Sequence, residues 1–250
     1  MQATGSGLTD IGRRRVINED AYLVDDDLGL YVVADGMGGH AAGEVASQVT
    51  VETVHGMVKR QAALLDPLGG TASPEQIRAA MRLLESAIQA ATYFVFGIGQ
   101  HDPDQQGMGT TVSAIILRGN YGVVAQVGDS RVYLIRQGEV TPLTEDHTLV
   151  NWQVKQGIIT EEEAAVSPHK NVITRAVGSR DYVQVDTSIV NVHPGDRFLL
   201  CSDGLHGYVE EHEIPAIIDL GPSRAIHRFI EIANERGGRD NITAVVAEVI

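Results

Sequence analysis

Apolar and polar positions divide the 250-residue chain into strand-like and helix-like stretches. Residues 21–24 and the apolar run 28–34 flank the acidic turn Asp25-Asp26-Asp27. They predict a hairpin with Asp20 at one strand edge and Asp35 at the far end of the other strand. From residue 43 to about 61 the spacing changes, and Ala46, Val49, Thr53 and Met57 recur at helical intervals. Pro67, Gly69 and Gly70 make 64–71 a loop. Ser73-Pro74-Glu75-Gln76 then predicts a sharp helix start, with serine as the cap, proline in the first position and glutamine in the third. Ile77, Met81, Leu84, Ile88, Ala91 and Val95 mark an apolar stripe that ends near Gly97-Ile98-Gly99. The two helices are expected to pack side by side, with their Met and Phe side chains in the core.

After Gly107 the pattern is that of strands. Residues 112–117, 121–127 and 131–136 are separated by Arg118-Gly119-Asn120 and Gly128-Asp129-Ser130, and Gln137-Gly138 reads as a two-residue hairpin loop. Residues 144–178 interrupt the strands. They are polar, with Leu149, Trp152, Val154 and Ile158 at roughly helical spacing and a second capping signature in Thr160-Glu161-Glu162-Glu163. A small helical insertion on the rim of a sheet is expected there. Strands follow at 183–190 and 198–201, with Ser202-Asp203-Gly204 closing the second. Helices are expected at 213–220 and 223–235, and a last strand at 242–250. Short strands at this spacing favour an antiparallel sheet or sandwich, hence an α+β chain.

Charge narrows the partners. The formal net charge is −14 and the pI about 5.0. Such a surface repels nucleic acid and anionic membrane, so neither is expected as a partner. It also repels a phosphorylated substrate at long range, so an anionic substrate would require cations in the site. The lone cysteine, Cys201, precludes an internal disulfide and fits a reducing compartment. It lies in an apolar run and reads as a packing residue. Met1 to Gly7 lacks the basic and apolar regions of a signal peptide, and no run approaches the roughly 18 apolar residues of a membrane span. The cytoplasm is the expected location.

The chemistry centres on the turn Asp35-Gly36-Met37-Gly38-Gly39-His40. A carboxylate beside an exposed backbone carbonyl suits a hard cation. The same theme recurs at Gly128-Asp129, Asp203-Gly204 and Asp240-Asn241. Carboxylates gathered at one sheet edge repel each other unless cations neutralise them. Without a Cys–His cluster, Mg²⁺ or Mn²⁺ is favoured over zinc. Two such ions about 3.5–4 Å apart can activate a bridging water and stabilise an in-line displacement at phosphorus. Each Asp-Gly alone also reads as an ordinary turn or helix cap, and spacing leaves open whether the aspartates converge.

In order along the chain stand Asp10-Ile11-Gly12 with Arg15-Val16-Ile17-Asn18-Glu19-Asp20, Ala34-Asp35-Gly36-Met37-Gly38-Gly39, Gly109-Thr110-Thr111, Val127-Gly128-Asp129-Ser130-Arg131, Ser202-Asp203-Gly204-Leu205 and Asp240-Asn241-Ile242-Thr243. With these motifs the chain resembles the bacterial type 2C (PPM family) metal-dependent protein serine/threonine phosphatases over nearly its whole length. The resemblance implies a four-layer α-β-β-α sandwich, two stacked antiparallel sheets flanked by helix pairs. Residues 1–250 would form one catalytic domain, with a flap insertion at about 144–178. It implies that Asp35 bridges two Mn²⁺ or Mg²⁺ ions with the Gly36 carbonyl on the second. Asp203 and Asp240 would complete the first site, Asp20 would hold metal-bound water, and Asp129 with Asp203 would match a weaker third site. Arg15 matches the phosphate clamp, while Arg13 and Arg14 read as solvated or supportive. The implied reaction is hydrolysis of phosphoserine and phosphothreonine in proteins by a metal-bound hydroxide, reversing a Ser/Thr kinase. The implied partners are phosphorylated proteins and that kinase, with the enzyme acting as a monomer. The histidine that eukaryotic members carry as a general acid has no match here. His40, three residues after Met37, is the candidate for that role, with water as the alternative. A catalytically inactive binding relative is the competing reading, and the intact Asp35, Asp203, Asp240 and Arg15 argue against it. A phosphatase of anti-sigma-factor antagonists is a third reading, disfavoured by the full motif set.

Overall fold

The structure is a computed structural model that describes residues 1–38 and 42–250. Its strands are β1 (Ala3–Asp10), β2 (Asp20–Asp25), β3 (Leu30–Met37), β4 (Gly109–Thr110), β5 (Val112–Arg118), β6 (Tyr121–Val127), β7 (Arg131–Arg136), β8 (Glu139–Pro142), β9 (Asp186–Asn191), β10 (Arg197–Cys201) and β11 (Ile242–Val249). They form two antiparallel sheets. One has the order β1-β11-β10-β7-β8, and the other β2-β3-β5-β6-β9 with β4 paired to the end of β3. The helices are α1 (Gly43–Arg60), α2 (Pro74–His101), α3 (Leu149–Lys155), α4 (Glu161–Ala165), α5 (Asp203–His206), α6 (Ile214–Ile218) and α7 (Pro222–Glu235).

Strands buried on both faces read as unbroken apolar runs, because each side chain has a core to enter. In β10, Phe198 and Leu200 face the opposite sheet, whereas Leu199 and Cys201 face the helices. In β5, Ile115 and Leu117 enter the same inter-sheet core while Ala114 and Ile116 meet α1 and α2. The three resulting cores separate four layers: α1 and α2, the second sheet, the first sheet, then α5 to α7. This is the α-β-β-α sandwich that the resemblance implies.

Local signals hold in detail. Ser73 Oγ accepts from Gln76 N while the Gln76 side chain accepts from Ser73 N, and Thr160 and Glu163 reciprocate in the same way. Gln137 and Gly138 both take positive φ, 54° and 84°, as a tight hairpin loop requires. Other expectations are corrected. The helix opened by Ser73 does not end at Gly97-Ile98-Gly99 but continues to His101. The loop at 64–71 is instead largely wound into 3₁₀ turns at Ala62–Leu64 and Asp66–Gly69. Strand β9 begins at Asp186 rather than 183. Ser202-Asp203-Gly204 does not simply close a strand, because Asp203 begins α5.

Strand β1 has no apolar alternation to predict it, yet it pairs with β11 along its whole length. A Cβ on Gly5 would stand 2.4 Å from Tyr31 Cε1, and one on Gly7 2.4 Å from Tyr22 Cε2. Tyrosine rings of the opposite sheet fill the space that β1 side chains would otherwise occupy. The small residues of this strand therefore reflect sheet packing.

Candidate active site

Four chain crossings bring the motif aspartates to one end of the sandwich. The β2–β3 hairpin sets Asp20 directly opposite Asp35 in register. Asp129 lies in the β6–β7 turn, Asp203 starts α5 after β10, and Asp240 precedes β11. Asp35, Gly36, Asp129, Asp203, Asp240 and Arg15 line one cleft of about 290 Å³, whose wall also includes Asn171 and Ile173 from the 144–178 segment. Asp20 is buried and does not line this cleft. His40 lies outside the described residues.

Strand β3 runs further than the apolar pattern predicts, through Asp35 to Met37, because Gly36 and Met37 pair with Thr110 and Gly109. The Gly-Thr-Thr motif holds Asp35 by its backbone. Asp35 N donates to Thr111 Oγ1 (2.9 Å), and Asp35 O accepts from Thr111 N (2.9 Å) and Thr110 Oγ1 (2.9 Å). Thr111 Oγ1 in turn shares a 2.7 Å hydrogen bond with Ser130 Oγ, which links Asp35 to the turn of Asp129. Gly36 is required by close approach, since a Cβ there would lie 2.2 Å from Gly43 O and 2.4 Å from Glu19 O.

Asp20 is buried. Its Oδ2 accepts from Ser202 Oγ (2.9 Å) and Thr243 Oγ1 (2.6 Å), whereas its buried Oδ1 has no hydrogen-bond partner among the described residues. Asp240 Oδ2 accepts from Arg15 Nη2 (2.7 Å), and Arg15 Nη1 also lies 3.7 Å from Glu19. Asn241 clips the loop that carries Arg15: its Nδ2 donates to Ile11 O (3.1 Å) and Ile17 O (3.0 Å), and its Oδ1 accepts from Glu19 N (2.9 Å). Arg13 Nε donates to Asn234 O (2.9 Å), a supporting contact.

The carboxylates repel. Burial, opposed by the Thr243 and Ser202 hydroxyls, pushes Asp20 up to about 7. Burial and then the Asp203 charge push Asp129 up to about 7 as well. Burial, followed by the charges of Asp20 and Asp203, holds Asp35 well above the usual carboxylate range. Burial and Asp240 raise Asp203. Arg15 is the one cation among the described lining residues. The donor set fits hard divalent cations: all carboxylate and carbonyl oxygens, a surplus of negative charge, and a buried oxygen left unbonded on Asp20. Among the described residues no three such side chains stand preassembled around one point. The aspartates instead ring the cleft.

The profile of the family described as protein phosphatase 2C matches residues 12–246. The chain belongs to the protein phosphatase 2C family. This family member is 40% identical over 243 residues to the serine/threonine protein phosphatase PstP of Mycobacterium tuberculosis, covering 97% of this chain and 44% of that relative. The chain thus spans less than half the length of that curated relative. It is 39% identical to the serine/threonine phosphatase stp of Listeria monocytogenes, covering 96% of this chain and 93% of the relative. A crystal structure of the PstP catalytic domain in complex with two manganese ions superposes with a TM-score of 0.83 at 36% identity, covering 100% of this chain and 99% of that one.

The type 2C motifs thus point to the lining aspartates and Arg15, but no local pattern marks the residues that hold them. Thr111, Ser202, Thr243 and Asn241 lie inside the quoted motifs and act through hydroxyl or amide groups that carry no hydrophobic period. His147 and His206 are isolated histidines, and no pattern marks them. No described helix is long and apolar enough to cross a membrane.

Proposed function

We propose that this chain hydrolyses phosphoserine and phosphothreonine in proteins with two Mg²⁺ or Mn²⁺ ions, reversing the action of a Ser/Thr kinase. The observation that carries the reading is the cleft itself: Asp35, Asp129, Asp203 and Asp240 face a single described arginine, and Asp20 keeps a buried unbonded oxygen. The names of the mycobacterial and Listeria relatives, and the two manganese ions of the PstP structure, support it. Bound ions would supply an activated water and neutralise charge on the phosphoryl group.

The residues of the chain divide the remaining work. Asp35 would help hold both ions, the Gly36 carbonyl would hold the second, and Asp203 and Asp240 would hold the first. Asp129 with Asp203 would serve a weaker third ion. Asp20 would orient water through its free Oδ1. Arg15 is 45% exposed, so its guanidinium can take two phosphoryl oxygens at once, and its hydrogen bond to Asp240 and ion pair with Glu19 aim it at the cleft. Asn171 and Ile173 bring the 144–178 segment to the cleft wall, in keeping with a flap over a single catalytic domain. His40 is assigned the proton delivered to the leaving oxygen, with water as the alternative. Cys201 is buried and its thiol is pushed up to about 12 by burial, which supports a packing role; the enzyme is read as a cytoplasmic monomer.

The test is phosphate release from a phosphothreonine peptide. Release should require Mn²⁺ or Mg²⁺ and fall at least roughly 100-fold in Asp203→Ala. Hydrolysis that survives both that substitution and excess chelator would overturn the proposal.

A further inference from the structure

The turn that carries Asp129 is gripped by two histidines. His147 is buried. Its N donates to Gly128 O (2.9 Å) and its Nδ1 accepts from Gly128 N (3.0 Å), so one residue bonds both main-chain groups of Gly128. From the other side His206, on the same short helix as Asp203, donates from Nε2 to Asp129 O (3.0 Å). Gly128 has φ +103°, and a Cβ there would lie 2.6 Å from Thr111 Cβ. Glycine is therefore required at this turn, where a side chain would meet both the positive φ and Thr111.

The tautomer of His147 follows from these bonds. Nδ1 accepts from an amide, so the ring proton sits on Nε2 and is donated to Asp186 Oδ2 (3.0 Å). Arg175 Nη1, 3.1 Å from the same nitrogen, cannot also donate to it. Its partner is Asp186 Oδ1 at 2.7 Å. Arg175 and Thr174 belong to the far end of the 144–178 segment, and His147 to its near end. Thr174 N (2.7 Å) and Thr174 Oγ1 (3.0 Å) both donate to His147 O. The two ends of the segment thus meet on the residue that holds Gly128.

We propose that His147 and His206 are positioning residues for Asp129, and that His147 makes the orientation of Asp129 depend on how the 144–178 segment is seated. Asp186 acts one step back: its carboxylate selects the His147 tautomer whose Nδ1 can accept from Gly128. Where the proposal concerns cation affinity it rests on the phosphatase reading above. The main-chain part stands without it.

The experiment compares wild type with His147→Leu, His147→Asn, His206→Leu, His206→Gln and Asp186→Ala by amide hydrogen exchange of the chelated protein and by calorimetric Mn²⁺ titration. Asparagine at 147 can still accept from Gly128 N, and glutamine at 206 can still donate to Asp129 O. The leucine variants should raise exchange across 128–130 roughly tenfold, the loss of about one hydrogen bond, and weaken the weakest Mn²⁺ step by a similar factor while sparing the tight ions. His147→Asn and His206→Gln should restore both readouts, and Asp186→Ala should raise exchange at Gly128 by roughly threefold. The proposal is overturned if the leucine variants melt earlier with no selective rise at 128–130, or if the asparagine and glutamine variants do no better than leucine. Should a leucine variant fail to fold, unchanged exchange in Asp186→Ala overturns the His147 part; for His206, a His206→Asn variant, one methylene shorter than glutamine, takes the place of leucine as comparator, and no gain of His206→Gln over it overturns the His206 part. A wild type that neither binds Mn²⁺ nor releases phosphate would sink the phosphatase reading and leave the exchange result to decide this one.

Discussion

Replacing Asp20 with asparagine should stabilise the chelated protein at pH 8 and reduce what it gains from Mn²⁺. Burial moves this carboxyl from its ordinary 3.8 to about 7. Folding raises the pKa, so the native chain holds a proton that the unfolded chain releases between about pH 4 and 7. The contribution of this group to metal-free stability is therefore full below about pH 4, falls as pH rises through that window, and is lost above about pH 7. Each factor of ten in proton affinity is about 1.4 kcal/mol, so at pH 8, where the group is ionised in both states, the metal-free fold has lost roughly 4 kcal/mol of the stability it holds below about pH 4. Asparagine keeps an oxygen to accept from Ser202 and Thr243 and removes the charge. Water entry and side-chain relaxation recover part of the cost in the wild type, so a gain of about 2–3 kcal/mol is expected, or roughly 5–10 °C in melting temperature for a chain of this size. The assay is thermal unfolding of both proteins in chelator at pH 5 and pH 8, then in Mn²⁺. The advantage of Asp20→Asn should be large at pH 8, small at pH 5, and cancelled or reversed by Mn²⁺. Equal effects at both pH values, or destabilisation at pH 8, would refute the argument that a buried charge strains this site.

Three further outcomes follow from the packing around the cleft. Thr111→Val removes the acceptor of Asp35 N and the partner of Ser130 Oγ; it should cost about 1–3 kcal/mol in urea unfolding and lower kcat more than it raises KM. Gly5→Ala sets a methyl against the buried ring of Tyr31, whose hydroxyl is anchored on Asp26 at 2.9 Å; a loss of about 1–3 kcal/mol should appear as a lower urea midpoint. Arg15→Ala should raise KM for a phosphopeptide roughly tenfold, while stability stays within about 0.5 kcal/mol because the Arg15–Asp240 pair is half-exposed.

Much of the fold is legible in the sequence because most strands are buried on both sides. Their runs, as at 112–117 and 198–201, announce themselves by apolarity, and the caps at Ser73 and Thr160 by residue type. Strand β1 was hidden because Gly5 and Gly7 answer to tyrosines from another sheet, a constraint that no local window contains. Asp20 and Asp35 could be placed near each other from the hairpin alone, and the structure pairs them directly. Gathering Asp129, Asp203 and Asp240 beside them required the family motifs, since turns distant in sequence carry no record of their spacing. The supporting residues were the least visible. Asn241 acts on a loop more than 220 positions away, and His206 would have shared a helical turn with Asp203 only if α5 had been expected there.

Strand β11 follows every other strand in the chain yet lies between β1 and β10. The strand pairing of the second sheet and its two covering helices is complete by residue 191, although its inner face still awaits β10 and β11. The first sheet cannot close until residues 242–249 have left the ribosome, an interval of roughly 3–12 s at ordinary elongation rates. During that interval β1 and β10 each expose an unpaired edge, and the loop of Arg15 lacks the Asn241 clip. The nascent chain therefore passes through a half-built state with open strand edges and no working cleft. Such a state calls for chaperone cover, and a translational pause late in the message would lengthen its exposure to aggregation.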